Sequence, residues 1–100
     1  LERAEKMAKK CVDAEPNSST YLDTYGWVLY QAGKYEEAKK QLSEAMINGG
    51  SQSGEILEHY GDTMYQLGEK EEAMSYWKKA KEKGQESDSL DKKIETGILE

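Results

Sequence analysis

One histidine and its acidic neighbours are the residues of this 100-residue chain best suited to hold a metal ion. Glu55, Glu58 and Asp62 lie within one helical turn of His59 if the segment is helical. Imidazole nitrogens and carboxylate oxygens both coordinate Zn²⁺, but one histidine among acidic neighbours lacks a recognisable ligand spacing. We therefore predict a partly exposed surface histidine, with a fortuitous metal site as the alternative, and we predict no cofactor.

Two pairs of adjacent glutamates, Glu36–Glu37 and Glu71–Glu72, are the next candidates, because paired carboxylates can carry general acid–base chemistry. Each pair lies in the first turn of a predicted helix, where the helix dipole stabilises negative charge without any catalytic role. The sequence contains no glycine-rich phosphate loop, no nucleophile elbow and no Cys/His metal framework. We therefore predict that the chain is not an enzyme.

An internal repeat organises the chain that carries these side chains. The stretch Tyr25–Ala38 recurs as Tyr60–Ala73, a shift of 60 − 25 = 35 residues. Identical pairs at this offset include Leu22/Leu57, Gly26/Gly61, Tyr30/Tyr65, Gln31/Gln66, Gly33/Gly68, Glu36/Glu71, Glu37/Glu72, Ala38/Ala73, Ala45/Ala80 and Gly49/Gly84. A period of about 20–50 residues indicates a stacked repeat array.

The composition agrees with such an array. Hydrophobic content of 36% and charged content of 34% suit a thin, two-layer structure, and one proline with no phenylalanine favours helix throughout. The net charge of −6 disfavours nucleic-acid and anionic-membrane partners, and no apolar run reaches the length of a membrane span. The first residue is leucine, so we expect a piece of a longer protein whose compartment, cytoplasmic or exported, stays open.

Apolar positions at steps of three and four predict six helices, over residues 1–15, 20–32, 34–48, 55–67, 69–83 and 88–96. Pro16 ends the first helix because it lacks an amide hydrogen, and Gly33 and Gly68 form the turns within each pair. The expected units are the second helix of a truncated repeat at residues 1–16, complete repeats at residues 17–50 and 51–85, and a capping helix with its tail at residues 86–100.

Two helix-interior glycines, Gly26 and Gly61, each cost about 1 kcal/mol of helix propensity relative to alanine. Their recurrence predicts close approach of the partner helix. Trp77 replaces the Leu42 of the first repeat and is expected to fill a wedge between the second helix pair and the segment that follows. In that last segment we expect Leu90 and Ile94 to face inward, and Lys92, Lys93 and Glu95 to face outward.

The two complete units resemble the tetratricopeptide repeat. The resemblance rests on a small mid-helix residue, a turn glycine, and a small–bulky–small pattern in the second helix. These positions are Gly26, Gly33, Ala38, Leu42 and Ala45 in the first unit, Gly61, Gly68, Ala73, Trp77 and Ala80 in the second, and Ala4, Ala8, Cys11 and Pro16 in the N-terminal stretch. The resemblance implies an all-α fold of antiparallel helix–turn–helix repeats, stacked as a short right-handed solenoid with a C-terminal capping helix. It also assigns Cys11 to a small core position.

In this family the first helix of each repeat lines a concave surface. The resemblance therefore implies a candidate peptide-binding face made by Asp23, Trp27, Tyr30, Gln31, Glu58, His59, Asp62, Tyr65 and Gln66. An aromatic and acidic groove suits an extended or helical peptide that carries basic and apolar groups. The alternative is that Trp27 and the tyrosines pack between helices. The basic clamp with which some members hold the C-terminal carboxylates of heat-shock chaperones is absent from the matching positions.

The predicted function is a non-catalytic protein-interaction scaffold whose partner is a protein or peptide of unknown identity. The alternative is a structural segment of a longer repeat protein, which stacks on neighbouring repeats or associates with a second copy. Neither reading includes nucleic-acid binding or membrane insertion by this fragment.

Overall fold

The computed structural model describes residues 2–99, and these residues form six α-helices and one short 3₁₀ turn. The helices are α1 (Glu2–Ala14), α2 (Ser19–Gln31), α3 (Tyr35–Ile47), α4 (Gly54–Gln66), α5 (Lys70–Glu82) and α6 (Asp88–Thr96), and the 3₁₀ turn spans Gly50–Gln52. The predicted helices therefore match the observed ones to within about one residue at most ends. None of the helices among residues 2–99 has both the length and the apolar character needed to cross a membrane.

Side chains and backbone geometry define where the helices start and stop. Ser18, Ser53 and Ser87 precede α2, α4 and α6, and each side chain accepts a hydrogen bond from a backbone amide three residues later. Such N-caps satisfy amides that have no partner within the helix. Gly33 and Gly68 connect the paired helices with φ angles of +80° and +87°, a conformation that other residues rarely adopt.

Two antiparallel pairs, α2 with α3 and α4 with α5, stack on each other, with α1 against α2 and α6 against α5. The larger core cluster contains Leu42, Leu57, Tyr60, Met64, Ala73, Trp77, Ala80 and Leu90, and the smaller contains Leu22, Ala45 and Ile56. The predicted all-α stacked fold is confirmed. Because Leu90 of α6 belongs to the larger cluster, the last helix covers the apolar end of the second repeat.

Close helix approach at the repeated glycines is also confirmed. A Cβ atom on Gly26 would lie 2.8 Å from Cγ of Leu42, and one on Gly61 would lie 2.6 Å from Cδ1 of Trp77. Both distances are far below ordinary van der Waals contact, so each glycine lets the second helix of its pair seat a large side chain against the backbone of the first.

We expect Gly61→Ala to lower the free energy of unfolding by about 1–3 kcal/mol, the usual cost of overpacking a core. The indole of Trp77 is fully buried and has little room to move aside, so the clash outweighs the gain in helix propensity. Urea denaturation followed by circular dichroism measures the change, with the exposed α5 substitution Ser75→Ala as the control. An increase in stability would mean that the indole can shift, contrary to this expectation.

Two side-chain predictions are wrong. Cys11 is exposed, although Ala45 and Ala80 at the matching positions are fully buried. Within the described residues α1 packs chiefly on α2, so this position is left uncovered. Lys93 is buried rather than outward-facing, because it lies three residues after Leu90 on the packed face of α6 and meets two carboxylates there.

Candidate functional site

Trp27 of α2 lies at the centre of an aromatic stack that joins the two repeats. Its ring is parallel to that of Tyr30 on the same helix, with centroids 4.6 Å apart. On α4, the imidazole of His59 stacks against it with centroids 4.0 Å apart and 19° between the planes. Trp27 is half-buried and belongs to neither core cluster. It therefore forms a rigid aromatic surface between the first helices of the two repeats.

An acidic group lies beside this stack. Nδ1 of His59 is 2.8 Å from Oδ1 of Asp23, and both side chains are about one-seventh exposed, at 15% and 14%. Glu55 is exposed and lies one helical turn before His59. One ligand-type atom from each of Asp23, Glu55 and His59 lies within 4.8 Å of the other two. The fold thus adds Asp23, which is 59 − 23 = 36 residues away in sequence, to the neighbours of His59.

Polar groups continue the surface on the other side of the stack. The exposed Gln66 donates from Nε2 to the Tyr30 hydroxyl at 3.3 Å, and Gln31 is also exposed. Partial burial raises the pKa of the Tyr30 phenol, so it stays neutral at physiological pH. Tyr65 is half-buried, and its ring stacks on Trp77 with centroids 5.9 Å apart while Lys70 lies over it.

The remaining two residues of the predicted face, Glu58 and Asp62, are only 9% and 4% exposed. Lys93 covers them: its Nζ donates to Oε2 of Glu58 at 2.6 Å and to Oδ1 and Oδ2 of Asp62 at 3.0 and 3.1 Å. Gln85 donates to the other Glu58 oxygen, and the Trp77 indole donates to Oδ1 of Asp62 at 2.9 Å. These carboxylates therefore form part of the contact between α4 and α6 and do not face an open groove.

This buried network shifts two pKa values. Burial raises the pKa of Asp62, although Lys93 and the Trp77 hydrogen bond act in the opposite direction. For Lys93, burial lowers the pKa, but the hydrogen bonds and charges of Glu58 and Asp62 together outweigh it and raise the pKa above its ordinary value. Lys93 is therefore fully charged at neutral pH, as its position between two carboxylates requires.

The contacts described above join Asp23, Trp27, Tyr30, His59 and Gln66. We call these five residues, together with the other exposed or half-buried residues of the predicted face on the same two helices, the α2–α4 surface. It consists of Asp23, Trp27, Tyr30, Gln31, His59, Tyr65 and Gln66, with Glu55 added from the structure. Sequence reasoning missed Lys93, although a signal was present: Lys93 follows Glu58 by 93 − 58 = 35 residues, the repeat period. An acid and a cation separated by one repeat period are expected to meet when the helices that carry them stack on each other.

The family model described as tetratricopeptide repeat matches residues 1–91 of the sequence. The chain belongs to the tetratricopeptide repeat family. The matched range contains both complete helix pairs and α1, together with the start of α6. Among curated proteins, none matches the sequence significantly.

Solved tetratricopeptide structures resemble the chain closely in fold. The first such domain of Spaghetti (RPAP3), bound to the HSP90 peptide SRMEEVD, has a TM-score of 0.87 at 16% identity, covering 96% of this chain and 75% of that one. The Sgt2 domain from Aspergillus fumigatus has a TM-score of 0.86 at 16% identity, with 96% and 64% covered. The type III secretion translocator chaperone SycD of Yersinia enterocolitica has a TM-score of 0.85 at 18% identity, with 96% and 70% covered. At these identities the likeness establishes the fold alone.

Proposed function

We propose that this chain is a non-catalytic protein-interaction module that binds a segment of a partner protein on the α2–α4 surface. The observation that carries the proposal is the position of Trp27, which is stacked between Tyr30 and His59 rather than enclosed in a core cluster. A rigid, partly open aromatic ring can bury a large apolar area on binding at a small entropy cost, which is why such residues anchor protein interfaces.

The solved relatives support a protein partner. The RPAP3 domain was solved with an HSP90 peptide, and SycD is a translocator chaperone. Both share this fold, and a stacked-repeat fold offers an extended surface suited to a peptide or to a subunit.

The charges of the α2–α4 surface favour a partner segment with basic and apolar side chains. Asp23 and Glu55 lie beside His59 of the Trp27 stack, and the exposed Gln66 amide lies beside Tyr30. The ammonium of Lys93 is already paired with two carboxylates and is buried. An acidic peptide such as SRMEEVD is therefore not expected to bind this face, whereas a lysine or arginine followed by an apolar anchor matches its chemistry.

The test begins with peptides selected from a random displayed library on the folded, tag-free protein in buffer containing EDTA. We expect the enriched peptides to carry basic and apolar residues and to lose at least tenfold in affinity on Trp27→Ala, measured by fluorescence polarisation. Ile47→Ala is the matched control, because Ile47 is a 76% exposed apolar side chain on α3, outside the α2–α4 surface. SRMEEVD serves as the acidic control peptide.

Circular dichroism must show that Trp27→Ala retains its helical content. Unfolding of this variant would place the ring in the core and contradict the proposal. So would selected peptides that bind Trp27→Ala as tightly as the unmodified protein, or that respond instead to Ile47→Ala.

A second candidate function, a structural segment that stacks on other repeats or on a second copy, is favoured by a different observation. Met7 of α1 is 63% exposed, and a cavity of about 430 Å³ beside Ile47 is lined by Met46, Leu57 and Tyr76. The exposed Met7 and Ile47 lie outside the α2–α4 surface and offer apolar contact sites. Light scattering at increasing protein concentration tests the association with a second copy, because a monomer at millimolar concentration is incompatible with self-association through these groups.

A further inference from the structure

We propose that Asp23, Glu55 and His59 form a binding site for a divalent cation of the zinc type, which links the first helices of the two repeats. One candidate ligand atom from each of the three residues lies within 4.8 Å of the others. The three residues come from two helices, so a bound ion would bridge α2 and α4. This inference does not depend on peptide binding.

The helical positions supply the first argument. Glu55 and His59 are four residues apart on α4, and side chains at this spacing lie on the same helix face. Pairs of ligands at this spacing are the arrangement by which a helix holds zinc. Asp23 approaches from α2, with Oδ1 only 2.8 Å from Nδ1 of His59.

Trp27 supplies the second argument, because it fixes the orientation of the imidazole. The indole covers one face of the His59 ring at a centroid distance of 4.0 Å. The ring edge that carries Nδ1 is thereby held towards Asp23. A ligand whose orientation is fixed before the ion arrives loses less conformational freedom on binding.

The distances are compatible with zinc after a small rearrangement. Zinc–nitrogen and zinc–oxygen bonds of about 2.0–2.2 Å place tetrahedral ligands roughly 3.4 Å apart. The Asp23–His59 contact must therefore open by about half an ångström, and the exposed Glu55 side chain can rotate to complete the set. Three protein ligands leave a fourth position for water, which is the usual arrangement of an open zinc site.

Charge and ligand type decide which ion is favoured. Two carboxylates with a neutral imidazole offer a net charge of −2, and Lys93 neutralises Glu58 and Asp62 rather than this group. An imidazole ligand favours Zn²⁺ and similar transition metals over Ca²⁺ and Mg²⁺, which prefer all-oxygen sites. Zinc chloride is therefore the probe, and calcium chloride is the selectivity control.

The experiment is isothermal titration calorimetry with tag-free protein, supported by native mass spectrometry. We expect one zinc ion per chain, no calcium binding under the same conditions, and at least tenfold weaker zinc binding in Asp23→Asn, Glu55→Gln and His59→Ala. Glu71→Gln, which removes an exposed carboxylate on α5, is the matched control and should bind zinc normally. At a free zinc concentration one hundred times the Kd, the Tm should rise by at least about 5 °C.

Nuclear magnetic resonance gives a direct check, since the chain contains a single histidine whose ring nitrogen signals are unambiguous. Zinc should shift one ring nitrogen strongly in the unmodified protein, and Glu55→Gln should need at least ten times more zinc for the same shift. Glu55 is exposed, so that variant keeps its fold. Absence of zinc binding, or binding that is equally tight in Glu55→Gln and in His59→Ala, would overturn the proposal and leave Asp23–His59 as a hydrogen-bonded pair only.

Discussion

Replacing Lys93 with methionine should destabilise the protein by about 3–5 kcal/mol at neutral pH, the usual cost of leaving a buried charge without its partner. Glu58 and Asp62 would keep only the hydrogen bonds from Gln85 and the Trp77 indole. Because detaching α6 would return both carboxylates to water, much of the loss should appear as release of this helix. Urea unfolding and amide hydrogen exchange in α6 measure the two effects.

Lys92→Met is the matched control, because Lys92 is the exposed neighbour on the same helix. It should change stability by less than about 0.5 kcal/mol. Equal stability of the two variants at neutral pH would show that the buried ammonium does not stabilise the fold. It would contradict the assignment of Lys93 as the residue that joins α6 to α4.

The pH dependence distinguishes electrostatic loss from poor packing. Burial raises the pKa of Asp62 above its ordinary 3.8, so the folded chain holds this proton more strongly than the unfolded chain does. Protonation of Asp62 therefore adds stability as the pH falls through this raised pKa towards 3.8. Lys93 lowers this pKa, so Lys93→Met should take up the proton at a higher pH than Lys92→Met, and the stability difference between the two variants should narrow as the pH falls in this range. The raised pKa of Lys93 acts in the opposite range: its contribution is complete below 10.5 and is lost as the pH rises through the higher folded value. A difference that stays constant with pH would indicate packing alone.

Trp77→Ala should cost about 3–5 kcal/mol, the range for removing a fully buried aromatic side chain. The indole fills the space above Gly61 and donates a hydrogen bond to Asp62, so the change creates a cavity and also weakens the buried network. Domains of this length are stable by about 5–15 kcal/mol, and the variant should have a markedly lower Tm.

The matched comparison for the stability loss in Trp77→Ala is Trp27→Ala. The Trp27 ring is half-buried and lies outside both core clusters, so its removal should cost less than half as much in a thermal or urea melt. We therefore expect Trp77→Ala to reduce mainly the stability of the fold and Trp27→Ala to reduce mainly the binding of a partner. Similar losses in both variants would contradict the assignment of Trp27 to a binding surface.

The order and the bounds of the helices could be predicted because the residues that pack between helices recur every 35 positions. Gly61 must be small to admit Trp77, and Ala73 and Ala80 must be small to let the paired helix approach, so the recurrence of small residues at these positions reports helix contacts. Cys11 shows where the inference from a small residue to a helix contact fails. A small residue marks a position that can be covered, but the sequence does not show whether a helix covers it.

The site was predictable only in part, because its chemistry depends on pairs that span two helices. Lys93 was assigned to solvent since charged residues usually are, yet the network of Glu58 and Asp62 compensates for its burial. Likewise, helical spacing around His59 predicts only neighbours on its own helix. The approach of Asp23 depends on how α2 packs against α4, which spacing along one helix does not reveal.

The acid–base contacts that join α2 to α4 and α4 to α6 share one polarity. Asp23 of α2 meets His59 of α4, and Glu58 of α4 meets Lys93 of α6, so the acid always lies on the earlier helix and the basic group on the later one. Repeats of this protein are therefore not freely interchangeable parts. A foreign repeat grafted after α4 would need a cation at the position of Lys93. An acid at that position would face Glu58 and Asp62, and the repulsion would destabilise the graft even if its apolar packing matched.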